Sequence, residues 1–264
     1  MQYNRYSEQT IRLYVHQIQQ FMDSFNTNPR LIGDADIQAY LESKTIADKC
    51  SRSAQNQMIS ALKMFYDKIV KKPIDDSVFV RPKKTNYLPT VLSKEEVKSI
   101  IDSINNLKHK AIISTIYSCG LRISELINLH IRDIDSKRMV IFIRDSKGNK
   151  DRIVPLSKKL LELLRKYWIQ HKPVTFLFEG ADSVRYSRES VSNILKRAVK
   201  FNKIEKHVTI HSLRHSYATH LMDAGVNLRL IQSILGHKNI KTTTIYTHVS
   251  NQNIQDVFSP LDDL

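Results

Sequence analysis

Apolar residues along most of this chain recur three and four positions apart, the period of a helix with one buried face. Ser7 to Phe25 shows it first, with Ile11, Tyr14, Ile18, Phe21, Met22 and Phe25 on one stripe and Ser7 placed to cap it. A second helix is predicted from about Asp34 to Ser43, with Ile37, Tyr40 and Leu41 inward. A third, over about Arg52 to Val70, turns Met58, Ala61, Leu62, Phe65, Tyr66 and Ile69 inward. Its other face is polar and basic and includes Arg52 and Lys63. Such a face can lie on phosphates or be simply solvated, and the pattern alone favours neither.

From Lys71 to Leu92 no apolar period persists. Pro73, Pro82 and Pro89 and the run Arg81-Pro82-Lys83-Lys84 predict a stiff interdomain linker. Its Arg81, Lys83 and Lys84 can track a DNA backbone. Ser93-Lys-Glu-Glu96 is a capping-box pattern that opens a second domain. Helices are predicted over about 94–105, 108–118 and 122–130. Two β-rich runs follow, Met139 to Ile143 and Arg152 to Pro155, joined by the turn-rich stretch Asp145 to Lys150. Val174 to Phe178 is a candidate third strand. Helices return over about 156–167, 188–201, 210–223 and 227–235, with Gly225 and Gly236 as stops, and a last helix is expected over Asn251 to Phe258. The expectation is a mostly α protein of two domains, 1–85 and 86–264, the second holding a small three-stranded antiparallel sheet.

Charge narrows the class of partner. The 264 residues carry 41 basic and 26 acidic side chains, a formal charge of +15. Residues 1–90 hold 13 basic against 9 acidic, and 91–264 hold 28 against 17, so both parts are positive. A solvated basic surface would satisfy these numbers; if the partner is a polyanion, contact along the whole chain fits them better than a single basic tail. Two cysteines, Cys50 and Cys119, make no disulfide framework. The polar start MQYNRYSEQT carries no signal-peptide pattern and no run of about 18 apolar residues occurs, so a cytoplasmic protein without a membrane span is expected.

Candidate chemistry sits in a few polar clusters. Arg122 follows Gly120 at a helix start, with Glu125 one turn on; His211, Arg214 and His215 are helical neighbours. His237 follows a terminal glycine, Tyr246 lies nine residues later, and Lys147 sits in the hairpin. Two arginines can hold one phosphate through paired, charge-assisted bonds. A tyrosine is a weak nucleophile until an electropositive site or a base activates it. A hairpin lysine can protonate a leaving alkoxide. These are the parts of a metal-free phosphodiester transesterification. Bland alternatives stand beside them: an Arg122–Glu125 surface pair, solvated hairpin lysines, and Tyr217 as a core tyrosine with its hydroxyl satisfied. The His211–His215 spacing suits some zinc sites, but HExxH and cysteine pairs are lacking, so no metal is expected.

The strings GLRISEL, SKGNKDRIVPL, HSLRHSYATHLMDAG and LGHKNIKTTTIYTHV, in this order, resemble the boxes of the tyrosine recombinase/integrase (phage-integrase) family. The likeness is nearest to Xer-type recombinases and simple mobile-element integrases. It covers about Leu88 to Val249; the N-terminal part matches only as a short helical, SAM-like core-binding domain. The resemblance implies a C-shaped clamp on DNA. By position it makes Arg122 and Arg214 the phosphate clamps, Lys147 the general acid, His211 and His237 the phosphate-bonding histidines, and Tyr246 the nucleophile. Glu125 becomes a support for the site. Lys150 remains open as the acid in place of Lys147, or as a phosphate contact. The implied activity is site-specific cleavage and rejoining through a 3′-phosphotyrosine and a Holliday junction, with no cofactor. The implied partners are duplex DNA with inverted-repeat core sites and a homotetramer on two sites, the tail Asn251–Leu264 docking in trans. Localisation would be cytoplasmic, and on the nucleoid when DNA-bound. Integration, excision and dimer resolution stay open, as does any need for accessory proteins. An inactive DNA-binding accessory protein and a type IB topoisomerase are the alternatives.

Overall fold

A computed structural model describes residues 6, 8–47, 50–82, 88–144, 151–181 and 184–236. Lys83, Lys84, Lys147, Lys150, His237 and Tyr246, and the helix expected over Asn251 to Phe258, lie outside the described residues. The chain forms two compact units, 1–86 and 87–264.

The first unit is built on α1 (Glu8–Phe25), α2 (Asp34–Ala47) and α3 (Arg52–Phe65). Phe21, Ile37, Ile59, Leu62 and Tyr66 are fully buried between them. The Phe21 ring meets Tyr40 edge-on at 5.0 Å and Tyr66 at 6.1 Å, contacts that add to the burial of the rings. The third helix continues past Phe65 as a π-helical turn, Tyr66–Val70, and Lys71 closes it in the left-handed conformation at φ 57°. The expected linker begins later than its composition suggests. Val78 and Phe79, around a 3-10 turn at Asp76–Val78, bury their side chains in this same core. Two apolar residues without helical period suffice to fold the stretch back.

The second unit contains α4 (Lys94–Asp102), α5 (Leu107–Cys119), α6 (Ile123–Ile127), β1 (Ile134–Asp135), β2 (Val140–Ile143), β3 (Arg152–Pro155), α7 (Lys158–His171), α8 (Arg188–Phe201), α9 (Ile210–Asp223) and α10 (Leu228–Leu235). Ser93 caps α4 as its pattern implies: its hydroxyl accepts from the Glu96 amide at 3.1 Å, and Glu96 returns the bond to the Ser93 amide at 2.7 Å. The sheet has the order β1-β2-β3, all antiparallel, with Ile134 opposite Ile141 and Ile143 opposite Arg152. Its third strand is therefore Ile134–Asp135 and not the expected Val174 to Phe178. That segment instead wraps a carboxylate: the amides of Val174, Thr175 and Phe176 all donate to Glu179. Amides spent on one side chain cannot serve a ladder. The helix expected over 122–130 stops at Ile127 and gives way to a 3-10 turn at Ile131–Asp133, where Asp133 accepts from the His130 amide.

Gly120 sets how α5 meets α9 and α10. It ends α5 at φ +59°, and a Cβ there would lie 2.5 Å from Tyr217 Cδ1 and 2.9 Å from Leu235 Cδ2. Only glycine provides both the left-handed turn and the close approach. Tyr217 is a core residue, but its hydroxyl finds no partner among the described residues, contrary to the expectation of a satisfied one. Cys119 is a fully buried small side chain whose thiol burial pushes up to about 12. Among the described residues no helix is long and apolar enough to cross a membrane.

Candidate active site

Glu125, in the first turn of α6, is buried to 3% side-chain exposure and gathers three arginines. Arg122 lies immediately before the helix. Its amide donates to Glu125 Oε2 at 2.8 Å and its Nη1 to Oε1 at 2.7 Å. Arg152, the first residue of β3, makes two parallel bonds to the same carboxylate, Nη1 to Oε1 and Nη2 to Oε2, each at 2.8 Å. Arg214, in the second turn of α9, stands 3.8 Å from Oε2. Burial alone would push this carboxyl up; the Arg152 hydrogen bonds and charge, followed by the Arg122 amide and charge, prevail and hold it at about 2.

The same arginines meet a second common anchor. The last carbonyls of a helix have no intrahelical partner, and the helix dipole makes that end negative. At the end of α10, Arg152 Nε donates to Ile234 O at 2.6 Å, Arg214 Nη2 to Leu235 O, and Arg122 Nη2 to Gly236 O at 3.3 Å. Gly236, at φ +63°, turns the chain out of α10. Arg214 Nη1 also donates to Gly120 O, so this buried guanidinium ties the end of α5 to the end of α10.

His211 is the second residue of α9, whose start is fixed by reciprocal bonds between Thr209 and Ser212. Burial, then the charges of Arg214 and Arg122, lower its imidazole below the usual range. His215, one turn on, is taken down to about 4 by burial, His211 and Arg214. Both rings are neutral near pH 7. Three guanidiniums against one carboxylate leave two positive charges at this place among the described residues, beside a neutral imidazole. Such a place suits a phosphate, with an imidazole ready to accept a proton.

Of the residues expected in the site, Arg122, Glu125, His211 and Arg214 come together. Arg52, Lys63 and Arg81 belong to the other unit. There Lys63 pairs with Asp76, and Arg81 donates to Asn56 Oδ1 at 3.0 Å on the polar face of α3. The Arg122–Glu125 pair exists, but around a buried carboxylate and not on the surface. Sequence reasoning missed Arg152. A signal was present: strand alternation puts Arg152 on the face of Val154, which is fully buried, while Ile153 points out. A charge on the inward face needs a partner.

Residues 90–253 match the phage integrase family, and residues 1–76 match the phage integrase N-terminal SAM-like domain. A putative integrase/recombinase of Sinorhizobium fredii is 37% identical over 264 residues, covering 99% of this chain and 86% of the relative. Tyrosine recombinase XerA of Pyrococcus horikoshii is 34% identical, covering 95% and 86%. A crystal structure of XerA recombinase superimposes with a TM-score of 0.59 at 31% identity, over 97% of this chain and 92% of that one. A XerH site-specific recombinase bound to palindromic difH substrate shares the fold, with a TM-score of 0.75 at 24% identity over 96% and 80%. Matched along both of its parts, the chain belongs to the phage integrase family and is a tyrosine recombinase of the Xer type.

Proposed function

We propose that this recombinase cleaves and rejoins duplex DNA at specific sites, with Tyr246 as nucleophile and Arg122, Arg214, His211 and His237 around the scissile phosphate. The observation that carries this is the convergence of Arg122 and Arg214 on one buried carboxylate beside a neutral His211. The net charge of +15 supports a polyanionic substrate.

The Tyr246 hydroxyl attacks the phosphorus and yields its proton to an imidazole, that of His211 or His237. The bond to the 5′-oxygen breaks as Lys147 donates a proton to it, with Lys150 the alternative donor. A 3′-phosphotyrosine and a free 5′-hydroxyl result. A 5′-hydroxyl from the partner strand then attacks the phosphotyrosine, and the phenol leaves with a proton returned. The ester keeps the bond energy, so no nucleotide is consumed, and the guanidiniums supply the charge stabilisation. Residues 1–85 serve as the core-binding domain and 86–264 as the catalytic domain. Arg52, Arg81, Lys83 and Lys84 lie on backbone phosphates; Lys63, already paired with Asp76, contributes less. Four protomers act on two inverted-repeat sites, each tail Asn251–Leu264 docking on a neighbour.

A plasmid carrying two copies of a site selected by binding tests this. Incubated in EDTA, the full chain yields recombinant products and Holliday junctions. A chain ending at residue 250 keeps single-site binding and loses junction formation. Relaxation of the plasmid without any exchange would instead point to a topoisomerase, and unchanged junction yield in the shortened chain would rule out docking by the tail.

A further inference from the structure

Arg152 has no part in the chemistry above, yet it bonds both Glu125 and the end of α10, where the clamping arginines are also held. Its side chain is only 7% exposed, and its guanidinium is spent on Glu125 and Ile234 O. Each Glu125 oxygen is shared: Oε1 between Arg122 Nη1 and Arg152 Nη1, Oε2 between the Arg122 amide and Arg152 Nη2, with Arg214 at 3.8 Å. The plane of the carboxylate is thus set by the two parallel bonds from Arg152, a geometry lysine cannot copy. Arg152 Nε holds Ile234 O, and the next two carbonyls, of Leu235 and Gly236, hold Arg214 and Arg122. Both clamping arginines therefore share two anchors with Arg152, Glu125 and the end of α10, and Arg214 has a further one in Gly120 O. The contact extends to Gly236 itself, where a Cβ would come within 3.1 Å of Arg152 Cδ.

We infer that Arg152 is a positioning residue that sets the aim of Arg122 and Arg214 at the scissile phosphate through Glu125 and the end of α10. This rests on the proposal that those two arginines hold the phosphate. A buried ion pair adds little net stability over apolar packing, so what it secures is geometry. Glu125 faces Arg122 from its own helix, Arg152 from β3 and Arg214 from α9. Glu125 also lines a cavity of about 180 Å3 together with the titratable or charged groups His130, Arg132, Asp133, Arg144 and Arg185. Without Arg152, the burial that pushes the Glu125 carboxyl up would be opposed chiefly by the Arg122 amide and charge, so the carboxyl would shift up and lose the two bonds that fix its plane.

The test is single-turnover cleavage of a nicked site by the full chain, measured with site affinity from about pH 6 to about pH 8.5. Arg152→Gln is expected to bind within about threefold of wild type and to cleave about 100-fold more slowly, the penalty deepening as pH falls. Arg152→Lys should restore a wild-type pH profile but not the full rate. Arg152→Gln with Glu125→Gln should be slow and lose the added pH dependence, His130 being common to all variants. A full rate in Arg152→Gln overturns the inference. So does a loss that is the same at every pH and tracks affinity or melting temperature, since that marks a purely structural role. If wild type binds its site and forms no covalent adduct, or if Arg122→Ala cleaves at full rate, the proposed function fails instead.

Discussion

Glu125 concentrates the residue-scale physics. It is a carboxylate buried among guanidiniums and held at about 2, against an ordinary 4.5. A depressed folded-state pKa contributes stability that is present above the unfolded value and lost as pH falls through the folded one. The second unit should therefore weaken as pH drops from about 4.5 toward about 2, by on the order of 3 kcal/mol from this group. Unfolding of wild type and Glu125→Gln against pH measures it. The difference between them should shrink across that window, and a constant difference would mean the carboxylate is not ionised by its arginines. Arg122, Glu125, His211 and Arg214 were legible because polar residues at helical spacing stand out in well-patterned helices. Arg152 was not, because a charged residue at the start of a short strand reads as exposed. Its partner lies 27 residues away, and pairing at that distance leaves no local periodicity.

Among the elements, the joints matter more than the spans. Helices with a strong apolar stripe and a polar cap, such as α8 and α10, form over the residues their pattern marks. Misreadings fell where a side chain takes over backbone groups. Glu179 collects three amides and removes Val174 to Phe178 from the sheet. Asp133 collects the His130 amide after α6 has ended. The two-residue strand Ile134–Asp135 is too short to alternate visibly. Gly120 is the joint that brings Arg122 beside Arg214. Gly120→Ala forces a left-handed alanine against Tyr217 and Leu235 and should cost about 2–4 kcal/mol in unfolding free energy. A cost under about 0.5 kcal/mol, the level of an ordinary surface change, would mean that α5 and α9 separate easily and that the joint is not rigid.

At the scale of the molecule, groups distant in sequence meet at one place in the second unit. Arg122 follows α5, Arg214 lies within α9, and both reach the end of α10, after which the chain runs on to His237 and Tyr246. Positive charge in both parts of the chain draws in DNA without choosing a sequence, so binding should weaken steeply with salt. Whether Tyr246 is the nucleophile is read from a single trapping experiment. A nicked duplex carrying a selected site, which traps the cleaved strand, is incubated in EDTA with wild type and with Tyr246→Phe. The account predicts a denaturant-resistant protein–DNA adduct with wild type and none with Tyr246→Phe, both binding the site equally. An adduct that persists in Tyr246→Phe, or one that forms only when metal is restored, would contradict it.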